Sequence, residues 1–251
     1  MKIIAVIPAR YKSSRFEGKP LADICGKLMI ERVYLQACKV KEFDTVYVAT
    51  DDTKIFNACK ERGINVIMTS DTHQTGTDRI GEVAEKIQAD LYVNIQGDEP
   101  LIEPETIKKA IVPFLEGKGS DISVTNLMTK IKDPLDLINN TVPKVIAAED
   151  GRGVYLTRAA APYPKGKIDD VFYYKQVCVY GFTPEALRFY CEFGKAHGKA
   201  KIEAIEDIEI LRFIENGIKV QYIEVDSDTI AVDTPQDLKR VCEYIKMNQI
   251  P

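Results

Sequence analysis

Residues 4–21 read IAVIPARYKSSRFEGKPL, an apolar strand-like run that passes directly into a cluster of cations. The basic residues of this short segment are Arg10, Lys12, Arg15 and Lys19. Small residues between them allow backbone N–H groups to turn toward phosphate oxygens, and arginine matches such oxygens in pairs. We therefore expect the segment to bind a polyanion such as a phosphate chain. The alternative is an ordinary solvated basic loop.

Strand-like and helix-like segments alternate outward from this stretch through the first half of the chain. Strands are predicted at 3–7, 45–49, 65–68 and 91–95, and helices at 29–40, 55–62 and 105–115. A further helix carries Ile80, Val83 and Ile87 on one face, with Thr77 or Asp78 as its N-cap. This rhythm is typical of a parallel α/β sheet with right-handed crossovers.

The rhythm becomes less regular after about residue 119. Strands are predicted at 122–127, 144–147, 154–156, 174–182 and 218–225, and helices from Pro184, over 205–216 and from Thr234 to about 247. Residues 194–201 are expected to form a loop. No linker or repeat separates the halves, so we favour a single domain over residues 1–251 with a small β-rich extension, and two domains stay open.

Composition limits the classes of protein that this chain can belong to. Hydrophobic residues make up 45% and charged residues 29%, as in globular proteins, and no apolar run reaches the roughly 18 residues that span a bilayer. A net charge of −4 argues against a nucleic-acid-binding surface. The six cysteines form no C-x-x-C pair, which favours reduced thiols. We expect a cytoplasmic protein without a signal peptide or an integral membrane segment.

Two acidic residues stand at positions where a parallel sheet presents ligands. Asp98 follows an apolar run in a Gly-Asp-Glu-Pro turn, and Asp233 follows another apolar run ahead of a capped helix. Hard carboxylate oxygens are the ligands that Mg²⁺ prefers, so the pair suggests a magnesium site beside a phosphate chain. The alternatives are a turn-forming aspartate and an ordinary helix-start carboxylate.

Other features are less specific. The segment 70–79, SDTHQTGTDR, enters a helix N-terminus that could meet a base, a ribose or a phosphate, or is a plain capped loop. Thr157-Arg158 could clamp a carboxylate or form a surface ion pair. The sequence contains no zinc spacing, G-x-S-x-G elbow, Walker loop or G-x-G-x-x-G, so hydrolase, P-loop and dinucleotide-binding interpretations lack their defining elements.

Five segments occur in order along nearly the whole chain: IPARYKSSRFEGKPL, VYVATDD, HQTGTDR, VNIQGDEPLI and AVDTPQDL. Together they resemble the motifs of the CMP-Kdo synthetase (3-deoxy-manno-octulosonate cytidylyltransferase) family. The resemblance implies a glycosyltransferase-A-like, Rossmann-like α/β fold with a central, mixed, mostly parallel sheet and flanking helices. It also implies a homodimer that uses Mg²⁺ and couples CTP to the acidic sugar Kdo, releasing pyrophosphate, for lipopolysaccharide or capsule synthesis.

The same resemblance implies roles for individual residues. Nucleotide contacts are expected at Pro8, Ala9, Arg10, Ser14, Arg15, Lys19, Thr77, Asp78 and Gln96. Catalytic roles fall to Arg10, Arg15, Lys19 and Asp98, and metal binding to Asp98 and Asp233. Substrate contacts are expected at Arg79, Gln96, Arg158, Gln176, Tyr180 and Glu209.

Departures from the family pattern gather in the part that would recognise the sugar. Gln176 stands where histidine is usual, Cys178 where glycine is usual and Ile210 where glutamine is usual, while Glu17 replaces a common proline near the phosphate segment. Ile210 could face the sugar or the core. A cytidylyltransferase for a modified Kdo, such as 8-amino-Kdo, or for a related sugar acid is therefore one alternative. A non-catalytic nucleotide-binding protein is the second.

Overall fold

The computed structural model describes residues 1–13, 15–117, 122–166, 171–227 and 230–250. The strands are β1 (Ile3–Ala9), β2 (Asp23–Ile24), β3 (Lys27–Leu28), β4 (Thr45–Thr50), β5 (Val66–Met68), β6 (Leu91–Ile95), β7 (Val124–Lys130), β8 (Lys144–Ala147), β9 (Gly153–Thr157), β10 (Tyr174–Phe182) and β11 (Val220–Glu224). The α-helices are α1 (Met29–Ala37), α2 (Thr53–Glu61), α3 (Gly76–Lys86), α4 (Pro104–Lys109), α5 (Val112–Leu115), α6 (Pro134–Ile138), α7 (Pro184–His197), α8 (Lys201–Glu206), α9 (Leu211–Glu215) and α10 (Pro235–Met247).

The chain divides into two compact units. The first unit comprises Met1–Lys108 and Ser227–Pro251, and the second comprises Lys109–Asp226. The single domain expected over the whole chain stays a prediction. No helix among the described residues is both long and apolar enough to cross a membrane.

A parallel sheet in the order β6-β1-β4-β5 forms the centre of the first unit. β1 lies between two neighbours, with Ile3 opposite Leu91 and Ala9 opposite Thr50, and its apolar run is buried almost throughout. A continuous run of Val and Ile suits a strand that is covered on both faces. The carboxyl ends of β1, β4 and β6 lie at one edge of this sheet, so the residues that follow them come together there.

The second unit is built around β7, which pairs in parallel with β11 and antiparallel with β10. The ladder with β10 contains a bulge: Val177 lies opposite Leu127, but the next pair is Tyr180 opposite Asn126. The side-chain amide of Asn126 donates to the carbonyls of Val177 (3.0 Å) and Val179 (2.9 Å). A buried side chain thus supplies the hydrogen bonds that the interrupted ladder does not.

Most of the predicted strands are confirmed, three of them to the residue at 91–95, 144–147 and 174–182. The loop expected over 194–201 is wrong, because α7 continues to His197. Lys195 stands in its last turn, where the helix dipole favours a cation, and Gly198 (φ 74°) follows the helix.

Two helices predicted as continuous are each interrupted. The segment 105–115 divides into α4 and α5, and Pro113 stands in the first turn of α5, where a missing N–H is tolerated. The segment 205–216 divides at Asp207, whose left-handed backbone (φ 51°) ends α8. Arg212 of α9 then donates to Glu203 of α8 through Nε and Nη2, both at 2.7 Å, in a buried ion pair.

Candidate active site

The candidate phosphate segment starts at the carboxyl end of β1. Pro8 and Ala9 are the last two residues of that strand, and Ala9 is buried. Arg10 follows with an exposed side chain, whose Nη1 donates to the carbonyl of Gln74 at 3.3 Å. This contact joins the phosphate segment to the loop before α3. The predicted nucleotide contact Ser14 lies outside the described residues.

The base of the cationic loop is closed by a backbone hydrogen bond. The amide of Gly18 donates to the carbonyl of Tyr11 at 2.8 Å. Gly18 adopts φ 69°, in the left-handed region where a side chain is strained, and a Cβ there would lie 3.3 Å from the Tyr11 ring. A short 3₁₀ helix, Lys19–Leu21, begins directly after it. Glycine therefore sets the direction in which the chain leaves the loop.

Lys19 is the centre of a cluster of opposite charges. Its Nζ lies 3.3 Å from Oδ1 of Asp233 and 3.7 Å from Oδ2 of Asp98, and it donates to the carbonyl of Val232 at 2.9 Å. Arg15 reaches the same carboxylate, with Nη1 3.0 Å from Oδ2 of Asp233. Four residues singled out as phosphate or metal ligands therefore meet at the sheet edge, although more than 130 positions separate Asp98 from Asp233.

Asp98 follows β6 and carries a buried carboxyl group between a cation and a second carboxylate. Burial raises the pKa of its carboxyl group; Lys19 acts against the rise and Asp233 adds to it. Its Oδ1 is buried without a hydrogen-bond partner among the described residues. Its carbonyl accepts from the amide of Val232 at 2.8 Å, which fixes the two acidic segments to each other. Gln96, the first residue after β6, is half-buried.

Helix α3 begins earlier than its sequence pattern predicts. Its N-cap is Thr75, not Thr77 or Asp78, and Thr75 Oγ1 accepts from the amide of Asp78 at 3.1 Å. Oδ2 of Asp78 in turn accepts from the amide (3.1 Å) and the hydroxyl (2.8 Å) of Thr75, which completes a capping box. Thr77 is buried. The nucleotide roles of Thr77 and Asp78 stay predictions.

Arg79 is one of the most deeply buried charges of the first unit, with 1% of its surface exposed. Its Nη2 donates to Oδ2 of Asp51 at 3.0 Å, and Nη1 donates to the Thr69 hydroxyl and, at 3.3 Å, to the Ser70 carbonyl. The guanidinium thus joins α3 to the ends of β4 and β5. Its expected contact with the substrate stays a prediction.

Glu82 is a structural carboxylate that the sequence pattern did not single out. It accepts hydrogen bonds from the amide of Ser70 (2.8 Å), from Lys86 (2.6 Å) and from Nε2 of His73 (2.5 Å). Burial opposes its ionisation, but these bonds outweigh burial and lower the pKa of Glu82 to about 2. The only sequence signal was the i, i+4 spacing from Glu82 to Lys86.

Four of the expected substrate contacts belong to the second unit, namely Arg158, Gln176, Tyr180 and Glu209, and Arg158 directly follows β9. Its guanidinium donates to four backbone carbonyls: Nε to Glu206, Nη1 to Asn140 (3.1 Å) and Thr141 (3.3 Å), and Nη2 to Asp207 (3.0 Å). Arginine carries five N–H donors, so one of them is left outside these contacts. Arg158 therefore holds two separate turns of the second unit together.

Glu206 was not singled out by the sequence pattern, yet its side chain organises the end of β9. It accepts from the amide of Arg158 (2.8 Å), the hydroxyl of Thr157 (2.7 Å) and the hydroxyl of Tyr155 (3.2 Å). Burial opposes its ionisation, but these hydrogen bonds and the charge of Arg158 prevail and lower the pKa of Glu206. The Glu206 carboxylate thus holds the backbone of Arg158, and the Glu206 carbonyl accepts from its guanidinium.

Gln176 and Tyr180 flank the bulge of β10. Nε2 of Gln176 donates to Oδ1 of Asn126 at 2.8 Å. Gln176, which stands where the family usually has histidine, therefore holds the same asparagine that supports the bulge. Tyr180 is 4% exposed and stacks on Phe182 with ring centroids 5.9 Å apart. Burial, followed by the neighbouring Cys178, raises its pKa well above the usual value.

Glu209 and Ile210 lie in the turn between α8 and α9. Glu209 is half-buried, and its expected contact with the sugar stays a prediction. Ile210 is 1% exposed, which agrees with the alternative that its side chain faces the core.

The chain is similar to known nucleotidyltransferases along its whole length. A family model described as "Cytidylyltransferase" matches residues 4–222. A 3-deoxy-manno-octulosonate cytidylyltransferase of Geotalea uraniireducens is 40% identical, over 98% of this chain and 100% of that protein. A solved structure of CMP:2-keto-3-deoxy-manno-octonic acid synthetase complexed with CTP is 34% identical, with a TM-score of 0.90 over 99% of this chain and 100% of that chain.

A more distant solved structure shares the fold alone. It is 4-diphosphocytidyl-2C-methyl-D-erythritol synthase from Anaerococcus prevotii, 18% identical, with a TM-score of 0.64 over 98% of this chain and 96% of that chain. Together with the closer structure, it confirms the predicted α/β nucleotidyltransferase fold.

Proposed function

The chain belongs to the cytidylyltransferase family, and on that premise we propose that it transfers CMP from CTP to 3-deoxy-manno-octulosonate (Kdo) and releases pyrophosphate. The single structural observation that supports this reaction is the position of Lys19 between two carboxylates, beside the arginine-bearing loop. A triphosphate needs cations for its charge and carboxylates for its metal, and this sheet edge offers both.

The charges at that edge suit the following reaction. A hydroxyl group of the sugar, at its anomeric carbon, forms a bond to the α-phosphorus of CTP as the in-line bond to the leaving pyrophosphate breaks, and the hydroxyl proton passes to water. Arg10, Arg15 and Lys19 bind phosphate oxygens and offset the negative charge that the leaving group gains. The protein's contribution is position and charge, and no covalent intermediate is needed because the sugar hydroxyl is itself the nucleophile.

We propose that Asp98 and Asp233 hold Mg²⁺. Asp98 fits this role because its Oδ1 is a buried acceptor with no partner among the described residues, and a hard cation would satisfy it. The part of the chain that the structure describes contains no group of three or more metal-ligating side chains. Mg²⁺ commonly keeps several waters and binds phosphate oxygens beside one or two carboxylates. When bound, Mg²⁺ supplies Lewis-acid stabilisation of phosphate charge.

For the sugar, we propose that Arg158 binds the carboxylate and that Gln176, Tyr180 and Glu209 lie near it. Support comes from the one guanidinium N–H of Arg158 that the four carbonyl contacts leave. The departures at Gln176 and Ile210 have structural roles here, one beside Asn126 and the other in the core. They therefore give no reason to prefer a modified sugar over Kdo.

A homodimer in the cytoplasm is the assembly and location that we propose. Leu135 and Ile138 of α6 are 66% and 71% exposed, and apolar side chains at such exposure support an association surface. Sedimentation of the purified protein would test the dimer.

The deciding experiment measures pyrophosphate release from CTP with Mg²⁺. The protein is supplied with Kdo, with 8-amino-Kdo or with no sugar, and UTP replaces CTP as the nucleotide control. Release that requires both CTP and Kdo supports the proposal. A higher kcat/KM for 8-amino-Kdo would transfer the assignment to the modified sugar, and CTP binding without release from any sugar would favour the non-catalytic alternative.

A further inference from the structure

A tyrosine at the start of the cationic loop contacts both the loop's closing glycine and a lysine of another element. Nζ of Lys54, in the first turn of α2, lies 4.2 Å from the centroid of the Tyr11 ring. At Gly18, a Cβ would lie 3.3 Å from three atoms of the same side chain, Cε2, Cζ and Oη. The ring therefore lies against the backbone of Gly18 and within cation–π distance of Lys54.

These contacts lie beside the backbone hydrogen bond from the amide of Gly18 to the carbonyl of Tyr11, which closes the base of the loop. Arg15 lies inside the loop so closed, and Lys19 follows the glycine directly. The left-handed backbone of Gly18 sets the direction of the chain at Lys19, which reaches both carboxylates. The base of the loop thus lies within three residues of both cations along the chain.

The backbone of Lys54 is held by the N-cap of its helix. Oδ1 of Asp52, the N-cap of α2, accepts from the backbone amide of Lys54 at 2.8 Å. α2 follows β4, the immediate neighbour of β1 in the sheet. The ammonium group thus reaches the Tyr11 ring from a helix that does not belong to the loop.

We propose that Tyr11 is a positioning residue: its ring, with Lys54 beside it, keeps the base of the loop closed so that Arg15 and Lys19 meet the triphosphate already in place. The proposal rests on the proposed function, since the triphosphate is that of CTP. A positioning role predicts that the aromatic ring matters and its hydroxyl group does not, because the quadrupole of the ring attracts the cation.

Three variants and one control test the proposal in the full-length protein with CTP, Kdo and Mg²⁺. Tyr11→Leu removes the ring, Tyr11→Phe keeps it, and Lys54→Gln removes the cation. The control is Lys60→Gln on the same helix, where Nζ lies 5.6 Å from the Phe56 ring. Thermal unfolding of each variant shows whether the fold is intact.

Misplaced cations should lower kcat, with a smaller rise in KM for CTP, because the charge on the leaving pyrophosphate that Arg15 and Lys19 offset develops only in the transition state. We expect Tyr11→Leu to lose about ten- to a hundredfold in kcat and Lys54→Gln about three- to fivefold, with Tyr11→Phe close to wild type. Lys60→Gln should not change either constant. If Tyr11→Leu does not fold, the comparison of kcat between Lys54→Gln and Lys60→Gln tests the proposal.

Equal losses in Tyr11→Phe and Tyr11→Leu would overturn the proposal, because the hydroxyl group would then be the active feature. Wild-type kcat in both Tyr11→Leu and Lys54→Gln would overturn it as well. Failure of the proposed function has a different signature, namely no pyrophosphate release by the wild type. In that case the affinity for CTP, measured by calorimetry, tests the positioning role. Equal affinity in the wild type, Tyr11→Leu and Lys54→Gln would overturn it.

Discussion

Lys19 forms ion pairs with two carboxylates that would otherwise repel each other, and the same ammonium group is suited to a phosphate oxygen. Replacing it with alanine should therefore remove stabilisation of the charge that develops on the leaving pyrophosphate. We expect Lys19→Ala to lose about 2–4 kcal/mol of transition-state stabilisation, seen as a fall in kcat. Steady-state kinetics with Lys39→Ala, an exposed lysine of the first unit, as control would measure it. A higher KM for CTP with unchanged kcat would reduce Lys19 to a ground-state contact.

Asp98 and Asp233 offer a second test at the level of single residues. Removing either carboxylate should lower turnover by roughly two orders of magnitude or more, because each would take one hard ligand from a partly hydrated Mg²⁺. The variants are Asp98→Ala and Asp233→Ala, assayed over a range of Mg²⁺ concentrations. Asp226→Ala, a highly exposed aspartate, is the matched control. Near-normal turnover in either variant would remove that residue from the metal site.

The apolar runs before Asp98 and Asp233 were enough to single both out as candidate ligands, and Asp98 follows β6 at the carboxyl edge of the parallel sheet. Asp233 follows no strand among the described residues, so its meeting with the cationic loop is seen only in the folded chain. The hydrogen-bond partners of Arg79 and Arg158 could not be predicted in this way. Arg79 pairs with Asp51, and Arg158 binds carbonyls of Asn140 and Asp207, all from segments distant in sequence. Only the folded chain brings such partners together, so an arginine of a known motif can be identified while its neighbours cannot.

At the scale of the element, helix α3 carries a pH-dependent anchor. The folded-state pKa of Glu82, about 2, lies below its ordinary value of 4.5, so the ionised group stabilises the fold. This contribution is fully present above the unfolded value and is lost as pH falls from about 4.5 toward 2. We expect Glu82→Gln to unfold more easily than wild type at neutral pH, and the difference to shrink through this window.

Urea unfolding of both proteins at a series of pH values would measure the difference in free energy of unfolding. The control for loss of one negative charge is Glu61→Gln, an exposed glutamate at the end of α2. A difference that stays constant down to about pH 2 would show that Glu82 acts through packing and not through its charge.

Element boundaries show where local sequence signals fail. The capping box of α3 contains Thr75 and Asp78, and both Thr75 and Thr77 satisfy the sequence rule for an N-cap, so the pattern alone could not choose between them. The interruption of the helix at Asp207 depends on tertiary contacts: its carbonyl binds Arg158, and Glu203 binds Arg212. Periodicity registers an apolar face but not such contacts.

At the scale of the whole molecule, the prediction of a single domain can be tested against the two compact units. A single domain should unfold in one calorimetric transition, and CTP with Mg²⁺ should raise its midpoint, because a ligand that binds only the folded state stabilises it. Differential scanning calorimetry with and without CTP would measure this. Two transitions, of which CTP shifts only one, would contradict the single domain.

The bulge of β10 also constrains how this protein family can diverge. Side chains of a strand alternate between the two faces of the sheet. Because the bulge inserts two residues between Val177 and Tyr180, the side chains on both sides of it keep the faces that they would have without it. Losing one of them would turn over every side chain on one side of the gap, including that of Gln176, which bonds to Asn126. Gene lineages that shorten or lengthen this strand should therefore do so by two codons at a time, and frame-preserving single-codon deletions here should be eliminated by selection.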